Sequence, residues 1–237
     1  MSDGLRPWRL ELGDGEFLVG DELAGDGPAY VFVHGLGAVR AGEKSGLLVA
    51  HAARRGRRCL RFDLRGHGES SGQLGRVAVS QIIADVVRTL EHTGPTVVIG
   101  SSLGGLLGAY AAVARPELVR GLALLAPALG LLANIPHRLD QEGRMWTSTG
   151  VGFHVEPAVI ADALALEEAT LPQRLQVPTL VVHGTADDII PHRQSERFFA
   201  ALTNPRKHLW IVPGGDHRLN PVAAEAYRRI DELVDLR

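Results

Sequence analysis

The chain has 237 residues, 45% hydrophobic and 22% charged, with a formal net charge of −2. These values are ordinary for a globular protein and exclude collagen-like, coiled-coil and disordered classes. Near-neutral charge offers no general attraction to nucleic acid or anionic membranes. A single cysteine, Cys59, cannot form an internal disulfide or a cysteine-rich metal site.

The opening MSDGLRPWRLELGDGEF lacks the basic and apolar regions of a secretory signal. The weakly polar stretch from Gly121 to Ala133 contains Pro127 and is too short to span a bilayer. The expectation is a cytoplasmic protein with no membrane insertion and no nucleic-acid partner. The basic run Arg54, Arg55, Arg57, Arg58 and Arg61 reads as a solvated helix end and loop.

Apolar runs at Trp8–Leu12 and Glu16–Leu23, separated by a Gly-Asp-Gly turn, predict a β-hairpin. Ala29–His34 and Arg58–Asp63 follow as strands. Val79, Ile82, Ile83, Val86, Val87 and Leu90 recur at three-and-four spacing, which predicts a helix with one face against a sheet. Thr96–Gly100 is the next strand. The Ala-, Leu- and Gly-rich stretch Leu103–Ala114 is the next helix, stopped by Arg115-Pro116. Strands at Leu118–Leu125, Thr179–His183 and His208–Val212 complete the set. Helices at Pro191–Leu202 and Pro221–Leu236 each carry a proline suited to a first turn. Several strands are continuously apolar, as expected when helices cover both faces of a parallel sheet. Alternating strands and helices predict an α/β architecture.

One stretch breaks the alternation. From 127 to 172 no convincing strand is legible, and a helix is expected at Ala158–Ala169. The whole chain, 1–237, therefore reads as one domain with a lid insertion at about 127–172. Met145, Trp146 and Phe153 in that insertion are candidate substrate-pocket residues.

Gly100-Ser101-Ser102-Leu103-Gly104 spells G-x-S-x-G directly between a strand and a helix. In that context the small residues permit a sharp turn, and the Ser102 hydroxyl projects from the carboxyl end of the sheet. A simple strand–helix turn or a phosphate loop is the alternative. However, no G-x-G-x-x-G follows the first strand, and no Gly-Lys-Ser/Thr loop occurs. A serine needs a base to take its proton, and that base needs an orienting acid. After Val181-Val182 the chain reads HisGlyThrAlaAspAspIleIlePro, and after Ile211-Val212 it reads ProGlyGlyAspHis. Ser102, Asp187 and His217 thus fall in the order Ser…Asp…His, each just past a strand.

Taken together, these pieces resemble the α/β-hydrolase superfamily over nearly the whole length apart from the lid. The other matching pieces are His34-Gly35-Leu36-Gly37, AspLeuArgGlyHisGlyGluSer from Asp63, and GlySerSerLeuGlyGly from Gly100. The resemblance implies a mostly parallel eight-stranded sheet with helices on both faces. It places the acid on Asp187, with Asp188 as the fallback. It also implies an oxyanion hole from the backbone N–H groups of Leu36 and Leu103. His34, His67 and His183 read as structural. No H-E-x-x-H or other paired metal spacing occurs, so neither metal nor cofactor is expected.

A serine nucleophile disfavours the branches that attack through Asp. GlySerSerLeuGlyGly with the downstream AlaArgPro, the AspAspIleIlePro stretch and AspHisArg resemble the palmitoyl-protein thioesterase and acyl-glucuronide esterase branch. That resemblance implies cleavage of acyl esters or thioesters in small-molecule or acylated substrates. Two alternatives stay open. One is a proline-iminopeptidase-like aminopeptidase, for which Glu167-Glu168 would bind the substrate ammonium. The other is a non-catalytic binding protein on the same fold.

Overall fold

The computed structural model describes residues 4–13, 15–148 and 150–236. The first strands, β1 (Leu5–Gly13) and β2 (Glu16–Leu23), form the expected antiparallel hairpin. β3 (Asp26–Val33), α1 (Glu43–Arg54), β4 (Arg57–Phe62) and α2 (Val79–Thr93) come next, then β5 (Thr96–Ser101), α3 (Leu103–Ala114) and β6 (Val119–Leu125). Between β6 and the following sheet strand lie α4 (Leu131–Asn134), β7 (Arg144–Trp146), β8 (Gly152–His154), α5 (Pro157–Ala165) and α6 (Leu171–Arg174). The chain closes with β9 (Thr179–Gly184), α7 (His192–Ala201), β10 (Lys207–Val212) and α8 (Ala223–Leu233).

An eight-stranded sheet runs in the order β1-β2-β4-β3-β5-β6-β9-β10. β2 pairs with β4 antiparallel, and every pairing from β4 to β10 is parallel. Side-chain alternation divides the core by face. Val31, Val33, Leu60, Phe62, Val98, Leu124 and Val181 pack with α2, α3 and Phe198 of α7. Their neighbours Tyr30, Phe32, Cys59, Val97, Ile99, Leu125 and Val182 pack with α1 and α8. β5 and β9 are buried along their whole length, which explains their unbroken apolar sequence.

Helix α1 was not singled out by the sequence pattern. Its buried face carries the polar Ser45 and His51 beside Leu48 and Ala52, so no apolar stripe marks it. In the 127–172 segment, β7 and β8 pair as a short antiparallel hairpin with Met145 opposite Phe153, where no strand was expected. Its helix spans Pro157–Ala165 rather than Ala158–Ala169, because Leu166 turns to an extended conformation and Glu168–Thr170 form a separate 3-10 turn. Leu131, Leu132, Ile135, Met145, Val155, Val159 and Leu171 join the same core as α2 and α3. Pro191 caps α7 from outside, and Pro221 lies in a 3-10 turn before α8, so neither proline sits within an α-helical first turn. Among the described residues, no helix is long and apolar enough to cross a membrane.

Candidate active site

Ser102 sits between β5 and α3 at φ 54°, ψ −120°, a conformation side-chain-bearing residues rarely adopt. The surroundings hold it there. Its N–H donates to the Leu125 carbonyl at 2.9 Å, and its own carbonyl accepts from Ala128 at 3.0 Å.

The turns after β9 and β10 bring in its partners. They can meet because Gly184 has no side chain: a Cβ there would lie 2.0 Å from the Gly215 carbonyl oxygen. Nε2 of His217 stands 3.1 Å from Oγ of Ser102, and Nδ1 of His217 is 2.7 Å from Oδ2 of Asp187. A carboxylate only accepts, so Nδ1 carries the proton and the Nε2 lone pair faces the serine hydroxyl.

The side chain of Asp187 is fully covered by protein. Its Oδ1 accepts the N–H groups of Ile189 and Ile190 at 2.9 and 2.8 Å. Burial favours the neutral acid, but hydrogen bonds from His183, His217 and Ile190 outweigh it and hold the carboxyl well below the usual carboxylate range. Asp188 is exposed.

The turn after β3 covers the serine from the other side. A Cβ on Gly35 would lie 3.1 Å from the Ser102 Cβ. The Gly35 carbonyl is turned back, accepting from Nδ1 of His34 at 2.8 Å and from the Ala38 N–H at 3.2 Å. In a trans peptide the N–H points opposite to the carbonyl, so the Leu36 N–H is directed away from His34. Nε2 of His34 accepts the Leu64 N–H at 3.0 Å, so both ring nitrogens are engaged structurally. His67 stacks edge-on against His34 with ring centroids 5.1 Å apart.

A cavity of about 370 Å³ opens over Ser102 and His217. Phe32, Leu36, Ala38 and Val39 form an apolar wall, and Lys44, Arg218 and Asn220 a polar one. Lys44 donates to the Arg218 carbonyl, and burial pulls its ammonium down to about 8. Among the described residues, no group of three or more His, Cys, Asp or Glu side chains is arranged to hold a metal ion.

The family model described as alpha/beta hydrolase fold matches residues 28–152. The chain belongs to this family. A second model, serine aminopeptidase S33, matches residues 164–220 of this alpha/beta hydrolase. The chain is 29% identical over 229 residues to the mitochondrial palmitoyl-protein thioesterase ABHD10 of Mus musculus, covering 90% of the chain and 77% of that protein. The solved mouse alpha/beta hydrolase domain-containing protein 10 superposes with a TM-score of 0.85 at 26% identity, covering 98% and 99% of the two chains. The ferulic acid-bound Est1E of Butyrivibrio proteoclasticus, at 17% identity and a TM-score of 0.80 over 95% and 99%, shares the fold.

Three pocket candidates are displaced in this hydrolase. Met145, Trp146 and Phe153 do not line the cavity. Met145 is buried in the core, Trp146 is 53% exposed and lies over Gly152, and Phe153 packs at the core edge. Alternation along β7 sends the first two to opposite faces, and the segment instead presents Ser148 to the cavity. Glu168 is also elsewhere: it holds the Gly130 N–H at the start of α4 and does not line the cavity. Most of the cavity residues that sequence reasoning missed, Ala38, Val39, Gly42, Glu43, Lys44 and Ser45, come from the loop before α1 and its first turn.

Proposed function

We propose that this chain is a serine hydrolase that cleaves acyl esters or thioesters through an acyl-enzyme on Ser102. The observation that carries the reading is the continuous hydrogen-bonded run Ser102–His217–Asp187 at the floor of the cavity. His217 takes the hydroxyl proton as Oγ attacks the acyl carbon. The backbone N–H groups of Leu36 and Leu103 receive the developing oxyanion, contributing about 3 kcal/mol each. His217 then returns the proton to the departing alcohol or thiol, and water repeats the sequence to release the acid.

The apolar wall of Phe32, Leu36, Ala38 and Val39 suits an acyl group. Similarity to a protein named a palmitoyl-protein thioesterase favours the same bond class. In this reading residues 127–172 act as a lid over the core. Thr147 touches the turn at Gly37, and Ser148 borders the cavity.

An aminopeptidase reading draws on the S33 match. It needs a carboxylate for the substrate ammonium, and Glu43 borders the cavity. That carboxylate is already held by the Asn220 amide and lies beside Lys44, a poor setting for a second cation. The discriminating experiment measures hydrolysis of nitrophenyl esters and acyl-thioesters of graded chain length beside proline nitroanilide. Ester or thioester turnover is expected, whereas anilide cleavage without either would overturn the assignment.

A further inference from the structure

His183 is the next-to-last residue of β9, close to the acid, and the acyl-transfer sequence above makes no use of it. Its side chain is fully buried. Nε2 lies 3.0 Å from Oδ2 of Asp187 and 3.0 Å from the Ile190 carbonyl oxygen. Both of those only accept, so Nε2 carries the proton. Nδ1 meets the hydroxyl of Ser195, in the first turns of α7, at 2.7 Å, and Ser195 is itself fully buried. With both nitrogens engaged, the ring has one orientation.

Oδ2 of Asp187 therefore receives two N–H groups, one from His183 and one from His217 at 2.7 Å. We propose that His183, oriented by Ser195, is a positioning residue that tunes His217 by sharing the carboxylate oxygen on which His217 depends. This rests on the acyl-transfer reading of Ser102, Asp187 and His217. A hydrogen bond donated to an anion stabilises it and draws density from that oxygen. An oxygen with two donors attracts each less than an oxygen with one. Protonated His217 is held by its attraction to Asp187, so the second donor makes His217 a weaker base than the acid alone would make it. Besides Asp187, the titratable and charged groups around His217 are Glu43, Lys44, His34 and Arg218 of the cavity wall and Asp216, its neighbour in sequence. A substitution at 183 alters none of them.

The test compares wild type with His183→Leu, His183→Gln and Ser195→Ala, following the acid limb of the pH profile of kcat/KM and the NMR titration of the His217 imidazole. His183→Leu leaves Oδ2 to His217 alone and moves both upward by roughly half to one pH unit. His183→Gln restores an amide N–H near the Nε2 position and returns both toward wild type. Ser195→Ala frees the ring and shifts both upward by less. Unmoved limbs and titration in the Leu variant, or equal shifts in the Leu and Gln variants, would overturn the proposal. If the Leu variant does not fold, an unshifted Ser195→Ala overturns it alone. The NMR titration needs no turnover, so an inactive wild type would defeat the hydrolase reading while leaving this test readable.

Discussion

A Cβ added to Gly104 would lie 2.1 Å from the carbonyl oxygen of Val33 and 2.5 Å from that of His34. The first turn of α3 thus touches the end of β3, the approach that lays Gly35 and Leu36 over Ser102. Any side chain at 104 must push these two elements apart. Gly104→Ala is expected to lower stability, because α3 and β3 both lie in the core. It should lower kcat/KM by at least about a hundredfold, the usual consequence of an ångström-scale misplacement of a reacting group. Circular dichroism with ester kinetics checks both halves of this expectation.

Removing the nucleophile is the sharpest test of the site. Ser102→Ala deletes the only atom in the hydrogen-bonded run that can form an acyl-enzyme, and a fall in kcat on the order of 10⁶-fold is expected. A fluorophosphonate probe should label wild type and not the variant. Equal labelling of the two would show the probe reacting elsewhere and defeat the assignment.

Asp187→Asn keeps the shape of the acid but alters its hydrogen bonding. The amide oxygen can serve either the Ile189 and Ile190 N–H groups on one side or the two imidazoles on the other. With the oxygen held by the two backbone donors, the NH₂ group faces His217 and favours the tautomer with its proton on Nε2. That ring cannot take the serine proton, and kcat should fall roughly 10⁴-fold. Single-turnover kinetics should place the loss in the acylation step.

That Ser102, Asp187 and His217 would converge was legible because each follows a short apolar strand and carries its own turn residues, as in Gly100–Gly104 and Gly214–His217. The α/β architecture with its mostly parallel sheet followed from the same alternation, whereas the order of the strands across the sheet did not. The cavity wall was not legible, because Lys44 and Ser45 come from a helix whose buried face includes the polar Ser45 and His51 and so shows no apolar stripe. The pocket guess at Met145 and Trp146 failed because sequence shows apolar residues without showing which face of a three-residue strand turns inward. His183 was readable as structural. That it shares an oxygen with the base depends on Ser195, on another element, and no local pattern reports that distance.

Burial, reinforced by the neighbouring His67 imidazole, pulls His34 down to about 4 from an ordinary value of 6.5. The unfolded chain therefore binds a proton at this position across a range where the folded chain does not. Stability from this group is fully present above about 6.5 and is lost as pH falls toward 4. The loss is on the order of 3 kcal/mol across that range. His34→Asn removes the titrating ring. Its urea midpoint should depend less steeply on pH between 6.5 and 4.5 than that of wild type, and parallel curves would contradict the account.

The last prediction concerns the tie that holds the Leu36 turn to β4. Asp63 is fully buried and accepts the N–H of Arg40 at 2.6 Å, the N–H of Glu69 at 3.0 Å and the Arg40 guanidinium. Arg40 also reaches Asp21 at 3.3 Å and pairs with Glu69. Asp63→Asn removes the one carboxylate in this cluster that is wholly shielded from water, leaving the guanidinium to partners that water screens. A buried pair broken from one side costs about 3–5 kcal/mol, and the low end is expected here because Asp21 and Glu69 remain. Since Arg40 closes the loop that carries Leu36, kcat should fall along with the unfolding midpoint. The double variant Asp63→Asn/Arg40→Gln should lose less stability than the two single losses added together, because the second change removes the charge stranded by the first. Strictly additive losses would mean that the two side chains do not act as a pair.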